Sequence, residues 1–182
     1  CAVSGGRGNV TGDAGGVRNG MAIAFFGVVG GNDTCTGGNG NDSFLFGAGQ
    51  LTADDTVVGG GGADTLWITT AGTTDAAALA HVSGAEVVIA YEPRWAIGAD
   101  APAKPDHVLE VGRTLRDHLA QSGHFGRLLY GGTAGPGTLL PLSTQFDGLF
   151  LGRRAHRIDG LLATIEEAKA VPDVEHRLEA TR

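Results

Sequence analysis

A nine-residue pattern occurs twice in the first half of this chain, and it limits the available folds more than any other feature. Gly37-Gly38-Asn39-Gly40-Asn41-Asp42-Ser43-Phe44-Leu45 and Gly59-Gly60-Gly61-Gly62-Ala63-Asp64-Thr65-Leu66-Trp67 share one template. Glycine stands at its first, second and fourth places, aspartate at the sixth and a large apolar residue at the eighth. A degenerate copy, residues 28–36, abuts the first in register and keeps Gly31 and Asp33, with Cys35 in the apolar slot. Residues 5–13 begin the same way but carry Val10 where the aspartate belongs. Glycine-rich stretches admit positive φ and bring backbone carbonyls close together. The aspartate adds a carboxylate, and the apolar residue two places later starts a short inward-facing strand. Stacked copies predict a parallel all-β coil with oxygen-lined turns, the ligand chemistry that Ca²⁺ prefers.

These copies resemble the RTX, or hemolysin-type, calcium-binding repeats of secreted bacterial proteins. The resemblance implies an RTX-like β-roll over residues 1–86 and calcium held by Asp33, Gly38, Gly40, Asp42, Gly60, Gly62 and Asp64. It also implies an extracellular home. The second perfect copy begins 22 residues after the first, which is not a multiple of nine, and a solenoid needs several stacked repeats. The plainer alternative is a flexible glycine-rich segment whose aspartates confer solubility. In its slot, Cys35 reads as a small buried hydrophobe rather than a nucleophile.

Composition breaks near residues 84–88. Residues 1–86 hold 21 of the 32 glycines, no proline, and two arginines against eight acidic residues, a formal charge of −6. Residues 87–182 hold all six prolines, and eleven Lys and Arg against twelve acidic residues, a charge of −1. A net charge of −7 argues against a nucleic-acid binder, which needs basic surface. No apolar run is long enough for a transmembrane helix. Two cysteines make no disulfide framework. With Cys rather than Met first, the start of the chain is expected to be missing, and a signal peptide is neither found nor excluded.

From Val87 strands and helices alternate. Val87-Val88-Ile89-Ala90-Tyr91 reads as a buried parallel strand. Val108, Val111, Leu115 and Leu119 recur at helical spacing, and Ser122-Gly123 closes that helix. Residues 127–130 predict a second strand, residues 138–142 a short helix, and residues 148–151 a third strand. The final helix carries Ile158, Leu161, Leu162, Ile165 and Ala168 on one face. Residues 174–182 are expected to be a frayed helical end. This order implies parallel strands joined by helical crossovers.

The loops at the strand ends are recognisable. Ala90-Tyr91-Glu92-Pro93-Arg94-Trp95-Ala96-Ile97-Gly98 resembles the catalytic segment of the triosephosphate isomerase family. Tyr130-Gly131-Gly132-Thr133 is similar to its Y-G-G-S loop, and Asp147-Gly148-Leu149-Phe150-Leu151-Gly152 to its last barrel strand and phosphate loop. The variants around Gly98-Ala99-Asp100 and Gly152-Arg153-Arg154 look closer to the tetrulose-phosphate branch. The fold class implied is α/β: a partial TIM-type (β/α) barrel of three βα units over residues 87–182, preceded by the β-roll segment.

The resemblance implies aldose–ketose isomerisation of a phosphorylated triose or tetrulose, with no cofactor. Glu92 would be the proton-transferring base, at the strand end where such barrels carry their sites. The role of this glutamate is a standard worked case for the family. Pro93 and Trp95 would lie in a lid hinge, and Gly98, Gly131, Gly132, Thr133, Gly152 and Arg153 would bind the phosphate. Arg94, Thr133 and Arg153 depart from the family pattern. The family's lysine and electrophilic histidine have no counterpart, because Lys104, Lys169 and His81 stand in no matching context. Read without the resemblance, Glu92 is a carboxylate lacking a partner and the histidines at 107, 118, 124, 156 and 176 are surface residues. A homo-oligomer and a cytosolic home follow from the isomerase likeness, whereas the repeat implies secretion. The third reading is a fused or truncated product of two genes. Three barrel strands alone would leave two open edges.

Overall fold

The computed structural model describes residues 2–4, 11–13, 24–26, 30–70, 74–124 and 126–171. The expected helical end at 174–182, and most of residues 5–13, lie outside them. Among the described residues eleven strands run in chain order: β1 (Ala2–Ser4), β2 (Thr11–Asp13), β3 (Ala24–Phe26), β4 (Thr34–Thr36), β5 (Ser43–Phe46), β6 (Thr56–Val58), β7 (Asp64–Thr70), β8 (Val82–Ser83), β9 (Ala85–Tyr91), β10 (Gly126–Tyr130) and β11 (Gly148–Leu149). The helices are α1 (Pro105–Gln121), α2 (Leu139–Leu142) and α3 (Ile158–Lys169).

As far as β8 the chain alternates between two parallel sheets. Even strands form the order β2-β4-β6-β8, while odd strands begin the order β1-β3-β5-β7-β9-β10-β11. The pairings Thr34↔Thr56 and Ser43↔Thr65 show that the 22-residue interval is one full coil carrying a strand in each sheet. The spacing that breaks a nine-residue count is thus the length of this coil, and neighbouring coils are shorter or longer, as in Ala24↔Ser43 and Val57↔Val82. A shared triplet marks the starts of β4 to β7: Asp33-Thr34-Cys35, Asp42-Ser43-Phe44, Asp55-Thr56-Val57 and Asp64-Thr65-Leu66. The hydroxyl residue faces outward, and the third residue enters the core. Cys35, Phe44, Val57 and Leu66 are all buried there.

The aspartates make the coils stack. The Asp33 N–H donates to Asp55 Oδ1 at 2.7 Å, and the Asp42 N–H donates to Asp64 Oδ1 at 2.8 Å. Each carboxylate therefore satisfies a backbone donor at the strand start one coil earlier, a group that would otherwise be buried unpaired. Glycine is needed where coils touch. Gly60 (φ +96°) and Gly62 (φ +113°) adopt the left-handed region, and a Cβ on either would strike a carbonyl of the coil before it.

The compositional boundary falls inside β9, and the sheet runs straight through it. β7 pairs with β9 over seven residues, from Asp64↔Ala85 to Thr70↔Tyr91. One of the two open edges expected of a three-stranded barrel piece is therefore closed by the repeat segment. A single core cluster extends from Cys35 and Phe44 to Tyr130 and Phe146.

From β9 onward the order is strand and helix three times over, all strands parallel. α1 buries Val108, Gly112, Leu115 and Leu119; Val111 is only partly covered, because Gly112 abuts the ring of Phe146. Arg116 knits this half together, donating to the carbonyls of Gln145 and Gly126 and to Asp147 Oδ2 at 2.6 Å. The third strand is shorter than the apolar run suggests, ending at Leu149. On α3, Ile158, Leu162 and Ile165 are exposed, so the apolar stripe is not its packed face. α3 is held instead by Glu167, whose carboxylate accepts the N–H groups of Gly137 and Leu140 at 2.7 Å each.

Candidate functional site

Strand parity decides which face of the sheet carries the chemistry. Val87, Ile89 and Tyr91 of β9 point into the core, so Val88, Ala90 and the next residue of that parity, Glu92, belong to the other face. The Glu92 N–H donates to Thr70 O at 2.7 Å, continuing the β7–β9 ladder one step past the strand. Glu92 is half-buried. Its side chain lies across Gly131 at the end of β10, and a Cβ built there would stand 2.7 Å from Glu92 Oε1. Any residue but glycine at 131 would displace the carboxylate.

On the same face, one layer below Glu92, lies a cleft of about 340 Å³. Leu45, Gln50 and Trp67 line it from the coils, Thr69 from the rest of β7, Ala90 from β9 and Phe150 from the segment after β11. Both compositional halves thus build it.

The loops around Glu92 clasp one another. Thr133 Oγ1 donates to the carbonyls of Ala96 (2.8 Å) and Ala99 (2.9 Å), and the Thr133 N–H also reaches Ala96 O at 3.2 Å. The hydroxyl that replaces serine in the motif therefore clamps the hinge loop. Gly132 (φ +83°) packs on Ala96, and Gly98 (φ +74°) leaves room for the Arg153 guanidinium, 3.1 Å from where its Cβ would be. The Gly131 N–H is taken by Tyr91 O at 2.8 Å. Gly152 has open space beside it. Pro93 is buried, whereas Trp95 is 64% exposed and leans on His107. The structure thus brings Glu92, Gly98, Gly131, Gly132, Thr133 and Arg153 into linked loops at the ends of β9, β10 and β11.

The residues assigned to calcium lie in the coil turns. Asp33, Asp42 and Asp64 are all buried, and so is Asp55, which the nine-residue template misses. Its signal is the Asp-Thr-Val triplet 22 residues after Asp33-Thr34-Cys35. These carboxylates serve backbone donors: Gly38 N–H to Asp42 Oδ2 and Thr52 N–H to Asp55 Oδ2, both at 2.7 Å. The carbonyl of Gly38 takes the Gly61 N–H, and those of Gly38 and Gly40 stand where Cβ atoms on Gly60 and Gly62 would be. Among the described residues, no three acidic, histidine or cysteine side chains gather as a metal cluster. One atom stands out. Asp64 Oδ2 is buried without a hydrogen-bond partner, and burial pushes this carboxyl above the usual range, opposed by the Asp42 N–H. A cation or a proton would relieve it. Cys35 is closed off, its thiol pushed up to about 11 by burial and by the charges of Asp33 and Asp55.

Comparison with known proteins supplies the context. Residues 65–168 match the family model described as Triosephosphate isomerase, beginning inside the second perfect nonapeptide. An L-erythrulose-1-phosphate isomerase of Pectobacterium atrosepticum is 48% identical over 85 residues, covering 46% of this chain and 33% of the relative. One from Rhizobium etli is 38% identical over 94 residues (49% and 35%), and a triosephosphate isomerase of Paracidovorax citrulli is 34% identical over 119 residues (58% and 47%). The chain spans about a third to a half of the length of these relatives. Since the matched region takes in more than half of the chain and contains all three linked loops, this protein belongs to the triosephosphate isomerase family.

Proposed function

We propose that this chain carries the general-base and phosphate-binding part of a sugar-phosphate aldose–ketose isomerase site. The observation that bears the proposal is the seating of Glu92 over Gly131, at the strand ends where the three loops converge. In this reading Glu92 takes the proton from the carbon next to the substrate carbonyl, leaving an enediol, and returns it to the neighbouring carbon. The donors that face the phosphate are the Gly132 and Gly152 N–H groups and the Arg153 guanidinium, while the Gly131 glycine makes room for the base. Pro93 and Trp95 form the hinge. The names of the relatives suggest L-erythrulose 1-phosphate as first substrate and a triose phosphate as second. The lysine and histidine of the family mechanism would come from polypeptide other than these residues.

Deuterium uptake from D₂O into each sugar phosphate tests the base directly, because it needs only proton transfer. The chain should label substrate and Glu92→Gln should not. Equal labelling by both removes Glu92 from the role, and none by the parent chain confines the proposal to a larger assembly.

A second reading concerns residues 1–86 as an RTX-type unit, and the unpartnered Asp64 Oδ2 favours it. Asp42 and Asp64, on adjacent coils, would hold Ca²⁺ with the intervening glycine carbonyls, and the ion would neutralise their buried charge. Titration calorimetry with CaCl₂, against Asp64→Asn, checks this; unchanged heats would dismiss it.

A further inference from the structure

We infer that His107 is a positioning residue for the segment that carries Glu92, tying the hinge tryptophan Trp95 to the hydroxyl of Tyr91. The functional meaning rests on the isomerase reading, since the braced segment bears the proposed base.

His107 stands in the first turn of α1, outside the sequence of the three loops, and no motif draws attention to it. Its Nε2 lies 3.2 Å from Tyr91 Oη, and its ring centroid is 5.9 Å from that of Trp95 at an interplanar angle of 47°. Tyr91 immediately precedes Glu92, and Trp95 follows it by three residues. One imidazole therefore touches both ends of the segment. The two ends differ in freedom. Tyr91 is buried and wedged between Tyr130 and Phe146, with ring centroids 6.3 and 6.5 Å away. Trp95 is 64% exposed. His107 thus anchors the exposed end of the hinge to the fixed one.

The contact depends on the charge of the imidazole. Neutral His107 with a bare Nε2 accepts the Tyr91 O–H. A protonated ring must donate to Tyr91 Oη instead, forcing the tyrosine hydrogen to turn away inside a packed site. The same charge draws the indole of Trp95 closer through its π face. Charged neighbours on its own side are Lys104, Asp106 and Glu110. The hinge segment carries Arg94 and Asp100 in its sequence, and β9 supplies the neutral phenol of Tyr91. A charged imidazole at 107 would therefore shift the hinge without any change in Glu92 itself.

Trp67→Phe leaves Trp95 as the only indole, so its emission reports the contact without substrate. On acidification that emission should fall about twofold in one step, as an imidazolium forms against the indole. His107→Gln, which can still hydrogen-bond Tyr91 but cannot be charged, should abolish the step. It should also keep acrylamide access to Trp95 near the Trp67→Phe level, whereas His107→Ala raises that access about twofold by removing the contact. A step that survives His107→Gln, a flat titration, or equal acrylamide access in all three proteins overturns the inference. If Trp67→Phe does not fold, the difference between the parent and Trp95→Phe carries the same titration. None of these readouts uses isomerase activity, so a negative deuterium-uptake result leaves them standing and concerns only the proposed reaction.

Discussion

Replacing Asp55 by alanine should unfold the coil segment far more readily than its sequence context suggests. No glycine-rich motif surrounds Asp55, yet its carboxylate is buried and accepts three hydrogen bonds. The donors are the Asp33 N–H (2.7 Å), the Thr52 N–H (2.7 Å) and the Thr52 hydroxyl (3.0 Å). Bonds to a charged acceptor contribute about 1.5–3 kcal/mol each. Thr52 is half-buried and regains water, so most of its share is recovered. The Asp33 N–H is inside the stack and has no substitute. Removing a buried charge returns part of the cost, which leaves a net loss of about 3 kcal/mol. With a slope of about 2 kcal/mol/M, the urea midpoint drops by about 1.5 M. Asp55→Asn keeps one acceptor oxygen and should lose about half as much. The adjacent Asp54 is exposed, and Asp54→Ala should cost no more than about 0.5 kcal/mol. Urea unfolding followed by circular dichroism, with hydrogen exchange at the Asp33 amide, measures all three. If Asp55→Ala and Asp54→Ala have the same midpoint, the carboxylate ladder does not hold the coils together.

Three further outcomes follow from the packing. Arg116→Ala removes the guanidinium that joins Gln145, Gly126 and Asp147, and thermal unfolding should show a loss of about 2–4 kcal/mol, with Arg116→Lys recovering less than half. In a Cys1→Ser variant, Ellman's reagent at pH 8 should find Cys35 inert until urea unfolds the chain, because a thiol at about 11 is almost wholly protonated. Asp64 has a raised folded-state pKa, so the folded protein holds that proton more tightly than the unfolded chain does. Its share of stability is greatest below its ordinary value of 3.8 and declines as pH rises through the raised value. Without added calcium, Asp64→Asn should flatten that decline in a pH series of thermal melts, and an unchanged slope refutes the assignment.

What could be read in the chain and what could not differ for physical reasons. Glu92, Gly131 and Thr133 were legible because a loop that must seat a carboxylate against a neighbouring strand end tolerates few residues: Gly131 has no space for a Cβ. The coil period was not legible from glycines, since the turn into β6 has no counterpart of the Gly-Gly-x-Gly run. It passes through Leu51-Thr52-Ala53-Asp54, where Asp55 caps Thr52 by side chain. Counting the Asp-hydroxyl-apolar triplet would have found β4 to β7. The stripe on α3 misled because helical spacing says which residues share a face and not what that face meets; here Glu167 fixes the helix, and Ile158, Leu162 and Ile165 face outward. His107 could not be found at all, since its partners are 12 and 16 residues away, on the hinge and on β9.

β7 does two jobs, and this leads to the strongest expectation about how the chain folds. Leu66 and Ile68 complete the core of the coils, while all seven residues of the strand pair with β9 and close its edge. If that shared strand couples the halves, a cavity deep in the coils should destabilise helices that do not touch it. Val57 offers the test: it is fully buried in β6, pairs with Cys35 and Val82 in the other sheet, and has no ladder partner in the barrel-like half. Val57→Ala should cost about 2 kcal/mol. Among the described residues every α-helix lies beyond Lys104 and the first half holds only a 3₁₀ helix at Thr74–His81, so ellipticity at the helical minimum reports mainly the second half. Trp67 emission, read in a Trp95→Phe background, reports β7, the strand where the coils meet the second half. A two-state unit moves both midpoints together and by the same amount. A helical signal that keeps its midpoint while the Trp67 transition shifts would mean that the β7–β9 ladder is a contact between two independent folding units, and the repeat would then be a neighbour of the isomerase-like half rather than its missing edge.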